Sequence, residues 1–369
     1  MPHTAAAPIS PMIGNDPVAP ELRARIAAAK AALGSRVFIL GHHYQRDEVI
    51  EFCDARGDSL DLSLRAAKTR DVEYVIFCGV HFMAETADIV TPDNVKVILP
   101  DMRAGCSMAD MADIDQVEHA WDVLTAATSE TIVPITYINS TAALKAFCGR
   151  HGGAVCTSSN AKKVVAWAFE QGKKLLFFPD QHLGRNTCHS LGIPLEQMIV
   201  YDPHDPHEKS GGNAAAVYAS KKVVLWRGHC SVHQNFAPNH PNLMRHRYPG
   251  INILVHPECR YEVVQQADFV GSTRFIIETV EAAAPGSKWA IGTEHHLVNR
   301  LAHEHPDKFI GTLAPFACQC STMFRIQPEA LCERLEELVR GEERNIIKVD
   351  PETTRWAKIA LERMMDMRD

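Results

Sequence analysis

Apolar and polar positions fall along the chain in blocks. A short continuous apolar run breaks abruptly into small, polar or histidine-rich residues, first as V-F-I-L-G-H-H-Y-Q (37–45), V-I-F-C-G-V-H-F-M-A-E-T (75–86) and V-K-V-I-L-P-D-M-R-A-G-C-S (95–107). After a helical stretch the pattern returns as I-V-P-I-T-Y-I-N-S (132–140), A-V-C-T-S-S-N (154–160) and L-L-F-F-P-D-Q-H-L-G-R (175–185). It comes a third time as V-V-L-W-R-G-H-C-S-V-H (223–233), N-I-L-V-H-P-E-C-R (252–260) and F-V-G-S-T-R-F (269–275). Continuous β-branched runs of this length predict parallel strands buried on both faces. Between them lie helical patterns such as 160–170, with Val164, Val165, Trp167 and Ala168. Strands alternating with helices predict βαβ units and doubly wound sheets. The trio repeats at intervals of about 80 to 100 residues, the size of a domain. Three similar α/β domains are expected: 21–120 with an N-terminal helix, 121–215, and 216–345, followed by a C-terminal helix over 346–369.

In open parallel sheets, ligands bind just beyond the carboxyl ends of the strands. The residues at those positions are His42 and Tyr44, Tyr137 and Asn139, Ser158 and Ser159, His233, His256 and Glu258, and Ser272 and Thr273. Singly, each could be a helix cap or a turn residue; Asp58 or Ser59 in G-D-S-L-D-L could cap the helix running to Lys68. So many polar strand ends together point to three domains converging on one central site.

Composition narrows the classes. A chain of 369 residues with 46% hydrophobic content can bury a large core in two or three domains. The net charge is −7 with both signs interspersed, and the pairs Lys162-Lys163, Lys173-Lys174 and Lys221-Lys222 each flank an apolar run as solvated edges. No basic stripe of the kind nucleic acid requires is formed, so a nucleic-acid partner is not expected. Residues 1–20 carry Pro2, Pro8, Pro11, Pro17 and Pro20 with almost no charge and read as a disordered tail. No apolar run approaches the length of a membrane span, so no membrane association and a cytoplasmic location are expected.

Eleven cysteines are many for such a chain, and the odd number argues against a disulfide scaffold. Cys53, Cys148, Cys188 and Cys332 fall within or beside helical patterns, while Cys78 and Cys156 lie inside apolar strand runs, where a small buried thiol is the rule. Cys106, Cys230, Cys259, Cys318 and Cys320 are loop cysteines at strand ends, as a metal ligand needs. No pair of these five has C-x-x-C spacing, which argues against a zinc ribbon. In F-A-C-Q-C-S-T-M-F (316–324) spacing alone does not separate a core coincidence from a ligand whose partners lie far away.

In order, the chain carries G-H-H-Y-Q, F-M-A-E-T-A, L-P-x5-C-S-M-A-D, Y-I-N-S, C-T-S-S-N-A, P-D-Q-H-L-G-R-N, W-x-G-x-C-x-V-H, V-H-P-E-C, G-S-T and C-x-x-M. Over roughly residues 35–325 this order resembles the quinolinate synthase (NadA) family. The resemblance implies three homologous three-layer α/β/α domains with parallel sheets around a pseudo-threefold axis, the active site at the centre. It implies a transferase of NAD biosynthesis that joins iminoaspartate to dihydroxyacetone phosphate, releasing phosphate and water to give quinolinate. It also implies a [4Fe–4S] cluster held by one cysteine per domain. By motif these are Cys106, Cys230 and Cys320, the last chosen over Cys318 by the methionine three places on. Three thiolates for four irons leave one iron open as a Lewis acid. His42, Ser59, Tyr137, Asn139 and Ser158 are then expected to hold carboxylate and hydroxyl groups of the substrates. Ser272 and Thr273 suit a phosphate or carboxylate. His233 and His256 can supply charge or protons. Tyr44 and Glu258, with His256 and His42, are the catalytic candidates for proton transfer. A transient aspartate-oxidising partner enzyme is implied as the source of iminoaspartate. Two departures from the family pattern stand out: His43 in the first motif, and C-S-T-M where C-P-N-M is frequent.

Overall fold

The computed structural model describes residues 17–69, 71–205 and 210–367. The stretch expected to be a disordered tail lies outside the described residues up to position 16, and its last residue, Pro20, opens a helix (Pro20–Leu33). Proline is well placed there, because the first helical N–H has no partner to lose.

Three sheets organise the chain. The first contains β1 (Val37–His42), β2 (Ala55–Gly57), β3 (Tyr74–Cys78) and β4 (Lys96–Ile98). The second contains β5 (Ile132–Tyr137), β6 (Ala154–Cys156), β7 (Lys174–Phe178), β8 (Met198–Tyr201) and β9 (Val223–Trp226). The third contains β10 (Asn252–Val255), β11 (Phe269–Val270), β12 (Lys288–Gly292) and β13 (Phe309–Thr312), and β14 (Ile346–Ile347) returns to the first. The orders are β14-β4-β3-β1-β2, β6-β5-β7-β9-β8 and β11-β10-β12-β13. Among the described residues every strand pairing is parallel except that of β14 with β4. β3, β5 and β7 are buried along their whole length, as uninterrupted apolar runs between helical layers must be.

The structure differs from the expected organisation in several places. The run at 223–226 does not open the third unit. It closes the second sheet, pairing Val223–Leu225 with Leu175–Phe177 on one side and with β8 on the other. The short strands β2, β8, β12, β13 and β14 were not signalled by long β-branched runs; β12, K-W-A-I-G, reads as strand only because β10 and β13 flank it. From Pro328 onward the chain leaves the third unit altogether. The helix Pro328–Val339 packs on Pro20–Leu33, β14 extends the first sheet, and the helix Pro351–Asp366 packs on Ala142–Arg150 of the second unit. That last crossing needs Gly149, since a Cβ there would meet the Trp356 carbonyl oxygen at 2.0 Å. Lys174 is not a solvated edge but begins β7 buried, its ammonium donating to the carbonyls of Ala219 and Lys221. Among the described residues no helix is long and apolar enough to cross a membrane.

Candidate active site

The carboxyl ends of strands from all three sheets open on one cavity. From the first unit come His42 and Tyr44 beyond β1, Ser59 at the start of the helix Ser59–Lys68, and Cys106 beyond β4. The second contributes Tyr137 and Asn139 beyond β5, Ser158 beyond β6, and Cys230 beyond β9. The third contributes His256 and Glu258 beyond β10, Thr273 beyond β11, and Cys320. Local chemistry fixes these positions. Asp58 accepts the Asp61 N–H at 2.9 Å as the cap of its helix, which sets Ser59 in the first turn at the cavity wall.

Three of the residues named from sequence stand elsewhere. His233 is fully buried behind the cavity wall. Ser159 and Ser272 line an adjoining outer cleft, where Ser272 accepts the Phe275 N–H at 3.3 Å as the cap of the helix Thr273–Ala282. Thr273, one residue on, is the one that faces the inner cavity.

The three cavity cysteines share one local geometry. Cys106 precedes a short turn of helix, Ala109–Met111, and its thiol meets the Met108 and Ala109 N–H groups. Cys230 caps Ser231–Gln234 and meets the His233 N–H. Cys320 precedes Met323–Arg325, meets the Thr322 and Met323 N–H groups, and has Thr322 Oγ1 at 3.4 Å from its sulfur. Burial pushes the Cys106 thiol up to about 12, and Cys230 and Cys320 are raised too, so in the bare protein all three hold their protons. A bound metal reverses this, and the turn N–H groups then have a thiolate to donate to. The three sulfurs do not all lie within 4.8 Å of one another, whereas Cys230, His233 and Glu258 do bring donor atoms that close. The partly buried cysteines on one cavity wall fit a metal cofactor.

Two buried carboxylates that sequence reasoning left without a role hold this frame. Asp180 Oδ2 accepts the Cys230 N–H at 3.2 Å while Oδ1 caps the next helix through the Leu183 N–H at 2.7 Å. Glu294 Oε1 accepts the Cys320 N–H at 3.3 Å, and Oε2 accepts the His296 N–H at 2.7 Å. Each stands two residues beyond the end of a strand, β7 or β12, and that position was the available signal. Arg300, also missed, is buried and donates to Asp47, to the His43 carbonyl at 2.9 Å and to the Gln45 carbonyl at 2.5 Å, clamping the loop that carries His42 and Tyr44.

Beside Cys230 lies an acid–base group. Glu258 Oε2 is 2.7 Å from His233 Nδ1 and 3.1 Å from His256 Nδ1, and the two imidazoles stack with centroids 4.5 Å apart. Burial alone would raise the Glu258 carboxyl, but the two imidazoles hold it well below the usual range. Burial lowers His256, with Glu258 pulling the other way. Burial also takes His42 down to about 3, so it is neutral at pH 7; its Nδ1 accepts the Tyr44 N–H at 3.1 Å, which leaves Nε2 as a donor. Tyr44 is held well above its ordinary value by burial and by Glu258, and its hydroxyl lies 2.9 Å from Thr273 Oγ1. Asn139 Oδ1 and Glu258 Oε1 are buried with no hydrogen-bond partner among the described residues. Buried acceptors on a cavity wall are costly unless something in the cavity donates to them.

The family whose model is described as NadA, quinolinate synthetase A protein, matches residues 24–366. The quinolinate synthase of Geobacillus sp. (strain WCH70) is 58% identical over 345 residues, covering 94% of this chain and 93% of its own. Those of Bacillus cereus (strain ZK / E33L) and Bacillus anthracis are 55% identical over 346 residues, with the same coverage. A cavity built from the strand ends of three parallel sheets, carrying three cysteines in matching turns, thus belongs to a chain of known kinship: the protein is a member of the quinolinate synthase family.

Proposed function

We propose that this enzyme of NAD biosynthesis condenses iminoaspartate with dihydroxyacetone phosphate, releasing phosphate and water, and that Cys106, Cys230 and Cys320 hold a [4Fe–4S] cluster. When bound, the cluster supplies a Lewis-acid iron with an open coordination position. The observation that carries the reading is the pair of unpartnered buried acceptors, Asn139 Oδ1 and Glu258 Oε1, on the wall of the cavity the three cysteines share.

The chain's own residues have separable tasks. Neutral His42 donates from Nε2, and Ser59, Tyr137 and Ser158 offer hydroxyls to substrate carboxylates and oxygens. Asn139 uses its amide N–H2 for the same purpose and its free Oδ1 for a hydroxyl or an imine N–H. Thr273, in the first turn of its helix, receives a phosphate or carboxylate oxygen with the help of the backbone N–H groups. Ser272 supports that end as the helix cap. Glu258, ionised and partnered on one oxygen only, takes protons from substrate carbon at Oε1. Tyr44, kept protonated by burial, returns them to departing oxygens. His233 and His256 stand with their Nδ1 atoms against Glu258 Oε2 and orient the carboxylate so that Oε1 faces the cavity. A transient aspartate-oxidising partner and a reducing, cytoplasmic setting belong to the same proposal; all eleven cysteines are free thiols, in keeping with it.

The test is anaerobic purification and reconstitution with iron and sulfide, followed by addition of iminoaspartate and dihydroxyacetone phosphate. Quinolinate is the expected product; a loaded protein that forms none overturns the proposed chemistry, and a protein that takes up no cluster overturns the assignment of the cysteines.

A further inference from the structure

Thr293 comes directly after β12 and stands outside the cavity, completely buried. Its hydroxyl nevertheless touches the chemistry from behind. Thr293 Oγ1 lies 2.8 Å from Tyr44 Oη and 3.2 Å from His233 Nε2. His233 Nδ1 in turn lies 2.7 Å from Glu258 Oε2. Two hydrogen bonds therefore lead from Tyr44 at the cavity through Thr293 to His233 inside the protein, and a close 2.7 Å ion-pair contact from His233 Nδ1, which makes no geometrically formed hydrogen bond there, leads back to the cavity at Glu258.

A hydroxyl has one proton and two lone pairs, so it can accept from one neighbour while donating to the other, in either direction. With His233 protonated on Nδ1, Tyr44 donates to Thr293 and Thr293 donates to His233 Nε2. With the proton on Nε2, the hydroxyls turn and the order reverses. No other side chain joins Tyr44 to His233 among the described residues, and Thr293 contributes nothing to the cavity lining that would explain a buried hydroxyl there.

We propose that Thr293 is a positioning residue that couples the two proton-handling ends of the site, carrying a proton between Glu258 and Tyr44 without passage through the cavity. The inference rests on the proton roles proposed above for those two residues. The balance is simple. Tyr44 gives its proton to a departing substrate oxygen and becomes phenolate, while Glu258 takes a proton from substrate carbon. Rotation of the protonated Glu258 carboxyl brings its proton to the oxygen facing His233, from which it passes to Nδ1; the proton on Nε2 passes to Thr293, and the Thr293 proton passes to Tyr44. Glu258 and Tyr44 are restored and only O–H and N–H bonds change; His233 is left protonated on Nδ1 instead of Nε2, and the reverse passage, in a step where Tyr44 takes up a proton and Glu258 gives one, resets it.

The test uses the reconstituted enzyme and compares Thr293→Val, which removes the hydroxyl at nearly constant volume, with Thr293→Ser, which keeps it. For T293V a loss in kcat of about 100-fold is expected, the lower end of what positioned proton transfer contributes, with KM within about twofold. T293S is expected within about threefold of wild type. A small diffusible acid such as imidazolium should raise kcat in T293V and leave wild type unchanged, a response that lost packing alone would not give. If valine is not tolerated in the fold, Thr293→Ala is read in its place with the same expectations. Wild-type enzyme that makes quinolinate, together with a T293V or T293A kcat within about threefold of it, overturns the coupling alone; wild-type enzyme that makes none overturns the proposed function and the coupling with it.

Discussion

Cys318 and Cys320 are separated by one residue and live in different parts of the molecule. Cys320 lines the central cavity, its sulfur facing the N–H groups of the next turn and the Thr322 hydroxyl. Cys318 is 1% exposed within the apolar core of the third unit, near Cys259, and among the described residues the one polar neighbour of its sulfur is the Phe316 carbonyl at 4.0 Å. Its backbone, not its side chain, is engaged: the Cys318 carbonyl accepts the His295 N–H at 3.0 Å. In the proposed assignment, what sets a ligand cysteine apart from its neighbour is the turn on its C-terminal side. Cys106, Cys230 and Cys320 each precede a short helical turn that offers N–H groups to sulfur, and Cys318 does not.

The largest effect that separates the two is Cys320→Ala, which should leave the reconstituted protein without bound iron and without product, while Cys318→Ala keeps both. Next comes the carboxylate that holds the Cys320 loop. Glu294→Ala removes the acceptor of the Cys320 N–H and the cap of its helix, and should weaken iron retention about 10- to 100-fold in a chelator challenge; Glu294→Gln, which keeps an acceptor, should lose much less. Equal losses for the two variants would show that charge rather than the tether matters.

A smaller difference concerns pH. His42 is held neutral in the folded cavity, down to about 3, whereas in the unfolded chain it titrates near its ordinary value of about 6.5. Below about pH 6.5 the unfolded state therefore binds the extra proton. The stabilisation is complete above that pH and is lost as pH falls toward 3, by at most about 1.4 kcal/mol per pH unit from this residue. Denaturant midpoints at pH 7.5, 6.0 and 5.0 should show a shallower decline in His42→Gln than in wild type. The smallest expected effect is that of Cys318→Ala on stability, about 1 kcal/mol from the lost buried sulfur, with m-value unchanged.

Much of this was legible in the sequence because buried parallel strands write themselves as uninterrupted apolar runs, and because function gathers at their ends. His42, Tyr137, Asn139, Ser158 and Glu258 were found by position alone, and the cavity brings them together. The motif order pointed to Cys320, and Cys320, not Cys318, lines the cavity. What sequence did not show falls into two kinds. Strands such as β12 and β13 are specified by their neighbours, not by their own residues, and β9 joined the second sheet by pairing that no local pattern announces. The supporting residues Asp180, Glu294, Thr293 and Arg300 act through backbone N–H groups, carbonyls or other side chains, so their roles exist only once separate loops are brought together. Ser272 marks the limit from the other direction: a strand-end hydroxyl adjoining the site that is engaged as a helix cap.

The most direct measurement is to prepare Cys318→Ala and Cys320→Ala side by side under anaerobic conditions, reconstitute both with iron and sulfide, and assay iron per chain together with quinolinate formed from iminoaspartate and dihydroxyacetone phosphate. Iron and product are expected in Cys318→Ala and neither in Cys320→Ala. Cluster and activity retained in Cys320→Ala, or lost from Cys318→Ala in a protein that is still folded, would contradict the assignment of the cavity cysteines as the ligands.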